Sequence, residues 1–392
     1  AGFPYVFDVR DGKKEFFGNG KEADVTTDMA LELKADVEKV IFDAKHGVRN
    51  AHVFIDHLKD ELRKPSKIEA VATRLISSSP LRYTVAFRML FGAFTAAAMT
   101  HHTSTGMAPG INCYLDWNKL GMLLESKGKD VFAGDVKGLD SSEQADMHLE
   151  ILDFINRWYD DGEDNQLARK VLWMELYHSR HLGGVGYEQN MIYQWNKSLP
   201  SGHPMTTVVN SIYTLVALVA CYIRATGDET GFWDYVFAVT YGDDNVVNVH
   251  ESVRHLYNQT TVAELMLEHF GIIYTSDVKE AELIETTTLD NVTFLQRRFR
   301  LENCVYVAPL GFDSFMYTPY WCKNRREMDK IIKESLENAL CELALHEPEA
   351  WYLWAPGIKR VQTRFVGPQN SQHAFERAAY LAVVKQRKDA WF

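Results

Sequence analysis

Apolar and polar positions alternate along this chain with two different periods. Met328, Ile332, Leu336, Leu340 and Leu343 recur at helical spacing, which predicts an amphipathic helix over residues 325–346 in a mostly helical last third. A second helix is predicted over residues 206–223, opening after Ser201-Gly202-His203-Pro204, where proline and small polar residues punctuate a helix start. Residues 132–135 form a short apolar run that closes on Asp135 and turns at Gly138, as a buried strand does. Residues 237–241 and 246–249 are β-rich runs on either side of Gly242-Asp243-Asp244, which predicts a hairpin with two carboxylates at its tip. The longest apolar stretches, 89–99 and 212–223, fall short of the roughly 18 to 20 residues that cross a bilayer, and buried helices are expected there. No internal repeat, low-complexity tract or Gly/Ser linker interrupts the alternation, so any domains share continuous interfaces.

Composition adds limits. At 392 residues and 46% apolar content the chain can bury a large core, as one big domain or two to three packed subdomains. The opening AGFPYVFDVRDGKKEFF has no basic start, long apolar middle or small-residue cleavage site, and no initiating Met. A piece cut from a longer polyprotein, without a secretory signal, is therefore expected. Cys113, Cys221, Cys304, Cys322 and Cys341 form no C-x-x-C pair, which argues against a disulfide framework or zinc ribbon and for a reducing cytosol. His178 and His181 make an H-x-x-H with no second ligand pair at a useful spacing, so ordinary packing is expected of them. The net charge of −11 speaks against an open nucleic-acid-binding face. Between Lys59 and Arg88, however, seven basic residues (Lys59, Arg63, Lys64, Lys67, Arg74, Arg82, Arg88) stand against Asp60, Glu61 and Glu69. A local basic wall suits a channel inside an acidic protein.

Adjacent Asp243 and Asp244 on a tight apolar hairpin are electrostatically costly without a cation. Mg²⁺ rests on one or two carboxylates plus substrate phosphates, and Asp135 can supply the further ligand of a two-metal site. Plain turn chemistry is the alternative for Gly-Asp-Asp-Asn. Asp140, five residues after Asp135, either caps a following helix or hydrogen-bonds a ribose hydroxyl, directly or through a neighbour such as Asn210.

DVKGLD, SGHPMTTVVN and YGDD, in this order and at these separations, resemble the palm motifs of viral RNA-dependent RNA polymerases. The resemblance extends upstream through KDELRKPSKIEAVATRLI, like the fingers motif that grips the incoming triphosphate, and downstream through GIIYTSDVK and VTFLQRRF. Six segments in family order cover most of the chain to about Phe315, and the picorna-like group of positive-strand RNA viruses matches best. The resemblance implies an α+β right hand with an antiparallel-sheet palm (129–154 and 200–299), fingers (1–128 and 155–199) and a mostly helical thumb (300–392). An N-terminal fingers portion is expected to be missing. By the same resemblance Asp135 and Asp243 are the principal ligands of two Mg²⁺ ions, for which Mn²⁺ can substitute, with Asp244 in support. Lys279 corresponds to the lysine that protonates pyrophosphate. Lys59, Arg63, Lys67 and Arg74 correspond to the triphosphate grip, Arg74 foremost. Ser201, Thr206 and Asn210 fall at the defining positions of SG-x-x-x-T-x-x-x-N, with Asn210 and Asp140 as the ribose-recognising pair, and Arg297 and Arg298 correspond to RNA-backbone contacts. Ala72 and Gln296 depart from the family pattern, each standing where relatives commonly carry a basic residue.

Implied partners are template and primer RNA, ribonucleoside triphosphates, a genome-linked protein primer and other viral replication proteins. The implied setting is the host cytoplasm, at membrane-associated replication complexes. A reverse transcriptase shares the three-carboxylate palm and is the nearest enzymatic alternative, but Asp140 and the SG…T…N segment favour ribonucleotides. An RNA-binding or scaffold piece that cannot polymerise is the non-enzymatic one.

Overall fold

The computed structural model describes residues 2–7, 9, 12–20, 22–61, 63, 65–184, 191–278, 281–322, 325–366 and 377–386. Among these, two four-stranded sheets organise the molecule, built from β1 (Val53–Leu58), β2 (Leu75–Ser78), β3 (Asp130–Val136), β4 (Arg180–Gly183), β5 (Met191–Gln194), β6 (Val236–Tyr241), β7 (Asp244–Val249) and β8 (Tyr274–Ser276). The central sheet runs β6-β7-β3-β8 and is antiparallel throughout. The other runs β2-β1-β4-β5, with β1 and β4 parallel and the remaining pairs antiparallel.

Both faces of the central sheet are covered, which is why its strands read as continuous apolar runs. Phe132, Val136, Ala238, Val247 and Val249 join a core that includes Phe87, Trp173 and Tyr213. Their strand neighbours Val131, Ala133, Phe237, Val239 and Val246 point the other way, onto Trp117, Leu120, Phe294 and Phe299. The first face is roofed by the helix Thr206–Thr226, whose Val209, Tyr213, Ala217 and Leu218 are buried. That helix is long and apolar enough to span a bilayer by composition, but 61% of its most apolar window is buried inside the protein, as a core helix is. Residues 89–99 likewise fall inside the helix Leu81–Thr100, packed through Phe87, Phe91 and Phe94.

Two short hairpins follow the central sheet, Thr293–Phe294 with Arg297–Arg298 and Arg300–Glu302 with Val305–Val307. The predicted C-terminal helix runs over Met328–Ala344, and Arg325–Glu327 forms a separate tight turn before it. It packs with Pro348–Val366 around Leu340, Leu343, Trp351 and Ile358.

Candidate active site

The tip of the β6–β7 hairpin is held from behind. The Gly242 amide donates to Ser211 Oγ at 2.8 Å, and its carbonyl accepts from Thr214 Oγ1 at 2.8 Å. Thr240 Oγ1 also donates to the Ser211 carbonyl at 2.9 Å, so one face of the helix Thr206–Thr226 clamps the turn. Strand β3 lies alongside: the Val136 amide donates to the Asp243 carbonyl at 3.2 Å, which sets Asp135 next to the Asp243-Asp244 pair. Asn245 locks this junction, its Nδ2 donating to the Gly134 carbonyl at 3.0 Å and the Asp243 carbonyl at 3.1 Å while Tyr274 Oη donates to its Oδ1 at 2.7 Å. A Cβ on Gly134 would come within 2.2 Å of the Tyr274 ring, so glycine is what lets the tyrosine reach under the strand.

The three carboxylates sit in different surroundings. Asp243 is exposed and Asp135 half-buried. Burial pushes the Asp244 carboxyl up to about 8, the Leu295 amide opposes this with a hydrogen bond at 2.6 Å, and the charges of Asp135, Asp243 and Asp277 add to the rise. Leu295 and Gln296 form a tight turn with φ of 54° and 60°, backbone that costs roughly 1–2 kcal/mol per residue, and Asp244 helps to hold it. Among the described residues no three His, Cys, Asp or Glu side chains already form a metal cage. A hard divalent cation does not need one: it rests on one or two carboxylates and fills its shell with water and phosphate oxygens. An all-oxygen donor set with mutual repulsion and one carboxyl forced toward its neutral form fits such an ion.

Asn210, on the first turns of the roofing helix, is buried and donates to Asp140 Oδ1 at 2.6 Å. Burial raises the Asp140 carboxyl, with the Asn210 bond opposing and Asp243 adding repulsion, so the pair lies within electrostatic reach of the hairpin tip. Asp140 sits in the first turn of Leu139–Ser142 and makes no cap there. Thr206 Oγ1 is spent on the carbonyls of Pro200 and His203, at 2.9 and 3.0 Å, and so braces the helix start. Ser201 Oγ accepts from the Ser77 amide and donates to the Leu75 carbonyl, both at 3.2 Å.

The basic segment is less naked than its composition implies. Lys59 and Arg63 lie 3.5 and 3.3 Å from the Glu61 carboxylate, and Arg74 binds it through two nitrogens, Nε at 2.8 Å. Arg74 holds the Glu61 carboxyl down to about 2. The Arg74 guanidinium is raised by the same hydrogen bond, and Asp243 adds to its field, so Arg74 lies within electrostatic reach of the hairpin tip. Lys67 stands apart, exposed on the helix Pro65–Glu69. Lys279 lies outside the described residues.

Arg297, expected at the RNA backbone, is turned into the protein. Its side chain is 3% exposed, with Nη1 and Nη2 donating to Glu342 at 2.8 and 2.9 Å and Nη1 also to the Ala308 carbonyl at 2.6 Å. It ties the hairpin to the C-terminal helix through Glu342. Arg298, one residue on, is 44% exposed and pairs with Glu347 at 3.1 Å.

Sequence reasoning missed Ser211, Thr214, Asn245 and Tyr274, the residues that aim the carboxylates. Their only signal was polarity inside runs otherwise apolar enough to be core. The H-x-x-H motif resolves as packing: His181 is buried against Asp56 and Ser179, and His178 ends the helix Glu163–Tyr177.

A family model described as viral RNA-dependent RNA polymerase matches residues 1–353. The replicase polyprotein of acute bee paralysis virus (strain Rothamsted) is 31% identical over 390 residues, covering 93% of this chain and 20% of the relative. That of Drosophila C virus (strain EB) is 32% identical over 392 residues, covering 95% and 22%. The chain thus spans about a fifth of the length of these polyproteins. Among solved structures, the Sicinivirus 3Dpol RNA dependent RNA polymerase superposes with a TM-score of 0.76 over 93% of this chain and 72% of that one. At 18% identity, that likeness is one of fold.

Proposed function

Since this chain belongs to the viral RNA-dependent RNA polymerase family, we propose that it extends an RNA primer on a viral RNA template by two-metal nucleotidyl transfer from ribonucleoside triphosphates. The observation that carries the reading is a single convergence. Asp135 lies beside Asp243 and Asp244 at one end of the central sheet, with Asp140, held by Asn210, and Arg74 within electrostatic reach of them.

Phosphoryl transfer asks a protein mainly for position and charge. Asp135 and Asp243 would hold the divalent ions, Mg²⁺ or Mn²⁺, with Asp244 behind them; when bound, such ions activate the attacking hydroxyl and neutralise the leaving pyrophosphate. Arg74, with Lys59 and Arg63, orients the triphosphate, a role suited to a guanidinium that already grips the planar Glu61 carboxylate. Lys279 protonates the pyrophosphate. Asp140, fixed by Asn210, reads the ribose hydroxyl and excludes deoxynucleotides. In this reading residues 129–154 and 200–299 are the palm, 1–128 and 155–199 the fingers, and 300–392 the thumb. A genome-linked protein primer and other replication proteins are its partners, at membrane-associated complexes in the host cytoplasm.

Primer extension on oligo(U)-primed poly(A) tests this directly. Incorporation of UTP and not dTTP is expected, lost in Asp243→Asn at an unchanged melting temperature. An Asp243→Asn protein that elongates with Mg²⁺ at the wild-type rate would refute the metal assignment.

A further inference from the structure

The sheet β2-β1-β4-β5 carries a row of polar side chains to which the reading above gives no work. Each strand contributes one residue: Ser77 from β2, Asp56 from β1, His181 from β4 and Tyr193 from β5. Asp56 faces Ser77 in the β1–β2 register, and His181 faces Tyr193 in the β4–β5 register. The Asp56 carboxylate is their common acceptor. Ser77 Oγ donates to Oδ1 at 2.6 Å, His181 Nδ1 reaches the same oxygen at 3.0 Å, and the Tyr193 hydroxyl donates to Oδ2. His181 Nε2 lies 2.7 Å from Ser179 Oγ, and its ring packs on Phe54 and Trp195 at centroid separations of 5.6 and 4.0 Å. Asp56, Ser77, Ser179 and His181 are all buried.

Stability alone is a weak reason for such a row, because apolar residues of similar volume commonly serve a buried sheet face as well or better. What hydrogen bonds from three donors to one carboxylate add is a fixed lateral position for each strand. The strand fixed most consequentially is β2. Its Ser77 amide holds Ser201 Oγ, and Ser78 forms a parallel bridge to Gly202. A Cβ on Gly202 would fall 2.1 Å from the Ser77 carbonyl, so the Ser201–Gly202 loop lies directly on this strand edge. At the other end of the same strand pair, the Lys59 amide donates to the Arg74 carbonyl at 2.8 Å, which brings two of the cations of the proposed triphosphate grip together.

We propose that Asp56 is a positioning residue for nucleotide selection. Through Ser77 it fixes the edge on which the Ser201–Gly202 loop rests and the strand pair that presents Lys59 and Arg74, so that loop and cations hold one spacing. The kinetic consequence rests on the polymerase reading; the mechanical coupling does not.

The test is Asp56→Asn, which keeps the side chain's shape but turns an amide donor toward its former donors. Hydrogen exchange in peptides covering 75–78 and 199–205 should quicken by about tenfold or more, since local opening sets those rates. In the same preparation, assayed well below a melting temperature that the stranded donors will lower, the KM for UTP should rise roughly 5- to 10-fold, with kcat and template affinity close to wild type. Combined with Ser201→Ala, the two effects should be less than additive, because they act through one contact. Unchanged exchange at 199–205 would overturn the proposal. So would a lowered melting temperature with wild-type KM in the folded protein, the mark of a merely structural role. Should Asp56→Asn fail to fold, Tyr193→Phe removes one donor without adding a charge or a clash and is read by the same two measurements. A wild-type chain that extends no primer would sink the polymerase reading, and the exchange experiment would still decide the coupling.

Discussion

Replacing Arg297 by Met separates a structural cation from an RNA-binding one. The side chain is 3% exposed, donates three hydrogen bonds at 2.6 to 2.9 Å and lies over the Tyr114 ring at 5.3 Å, while Tyr114 Oη itself donates to Glu342. Methionine fills similar volume but strands the Glu342 carboxylate, 8% exposed, without its cation. Removing one partner of a buried ion pair costs ~3–5 kcal/mol, because the remaining charge stays desolvated. For a protein of this size that lowers the melting midpoint by about 4–6 °C. Pairing the change with Glu342→Leu removes the stranded charge, and the double variant should regain most of the loss, so a thermodynamic cycle will show a coupling of several kcal/mol. The assay is thermal or urea unfolding of the four proteins, together with RNA affinity measured across a salt series. A cation that contacts a phosphate contributes about 0.7 to 0.9 to the slope of log K against log salt, and its removal lowers the slope accordingly. The reasoning is refuted if Arg297→Met is as stable as wild type and flattens the salt slope by about one.

Other consequences can be measured as directly. Asp140→Ala should lower the UTP to dTTP preference roughly 10- to 100-fold, the worth of a charge-assisted hydrogen bond, with little change in template affinity; an unaltered preference would break the link to the ribose. Arg169 is fully buried and its guanidinium grips Asp161, holding that carboxyl below the usual carboxylate range. A depressed folded pKa means stability present above about pH 4 and lost as pH falls through the folded value. Asp161→Asn should therefore cost ~3 kcal/mol at neutral pH, the low end for a buried pair because Asp161 keeps 32% of its surface in water, and should flatten the acid limb of the stability profile. An acid limb identical to wild type would contradict this.

The elements that carry chemistry were legible because their local patterns agree with their tertiary surroundings. Residues 132–135 fall inside β3, and the runs on either side of Gly242 became β6 and β7. The helix predicted over 206–223 is Thr206–Thr226. Thr206 and Asn210 share a helical row as their four-residue spacing requires, yet only Asn210 turns its polar atoms toward Asp140. Harder to read was which side of a strand a residue faces when both neighbours are alike. Arg297 and Arg298 are chemically identical and adjacent, strands alternate faces, and nothing in RR says which arginine points inward. The basic segment posed the same difficulty in charge: three cations share Glu61 because the β1–β2 pairing and the Lys59–Arg74 backbone bond just beyond it bring them together, a tertiary fact with no local signature. Asp56 and His181, 125 positions apart, had even less to announce them.

Strand β3 also has a history as well as a position. Its hydrogen-bonding partners on both sides, β7 and β8, come later in the chain, and Asp130 waits for Val249. During synthesis Asp135 is therefore made well before the hairpin that completes its cluster, on an apolar strand with two open edges. Pairings that close so long a loop form slowly, and an unpartnered apolar strand is a template for aggregation in the meantime. The same topology that buries the carboxylate strand inside the finished sheet leaves it a segment in need of protection while the chain is being made.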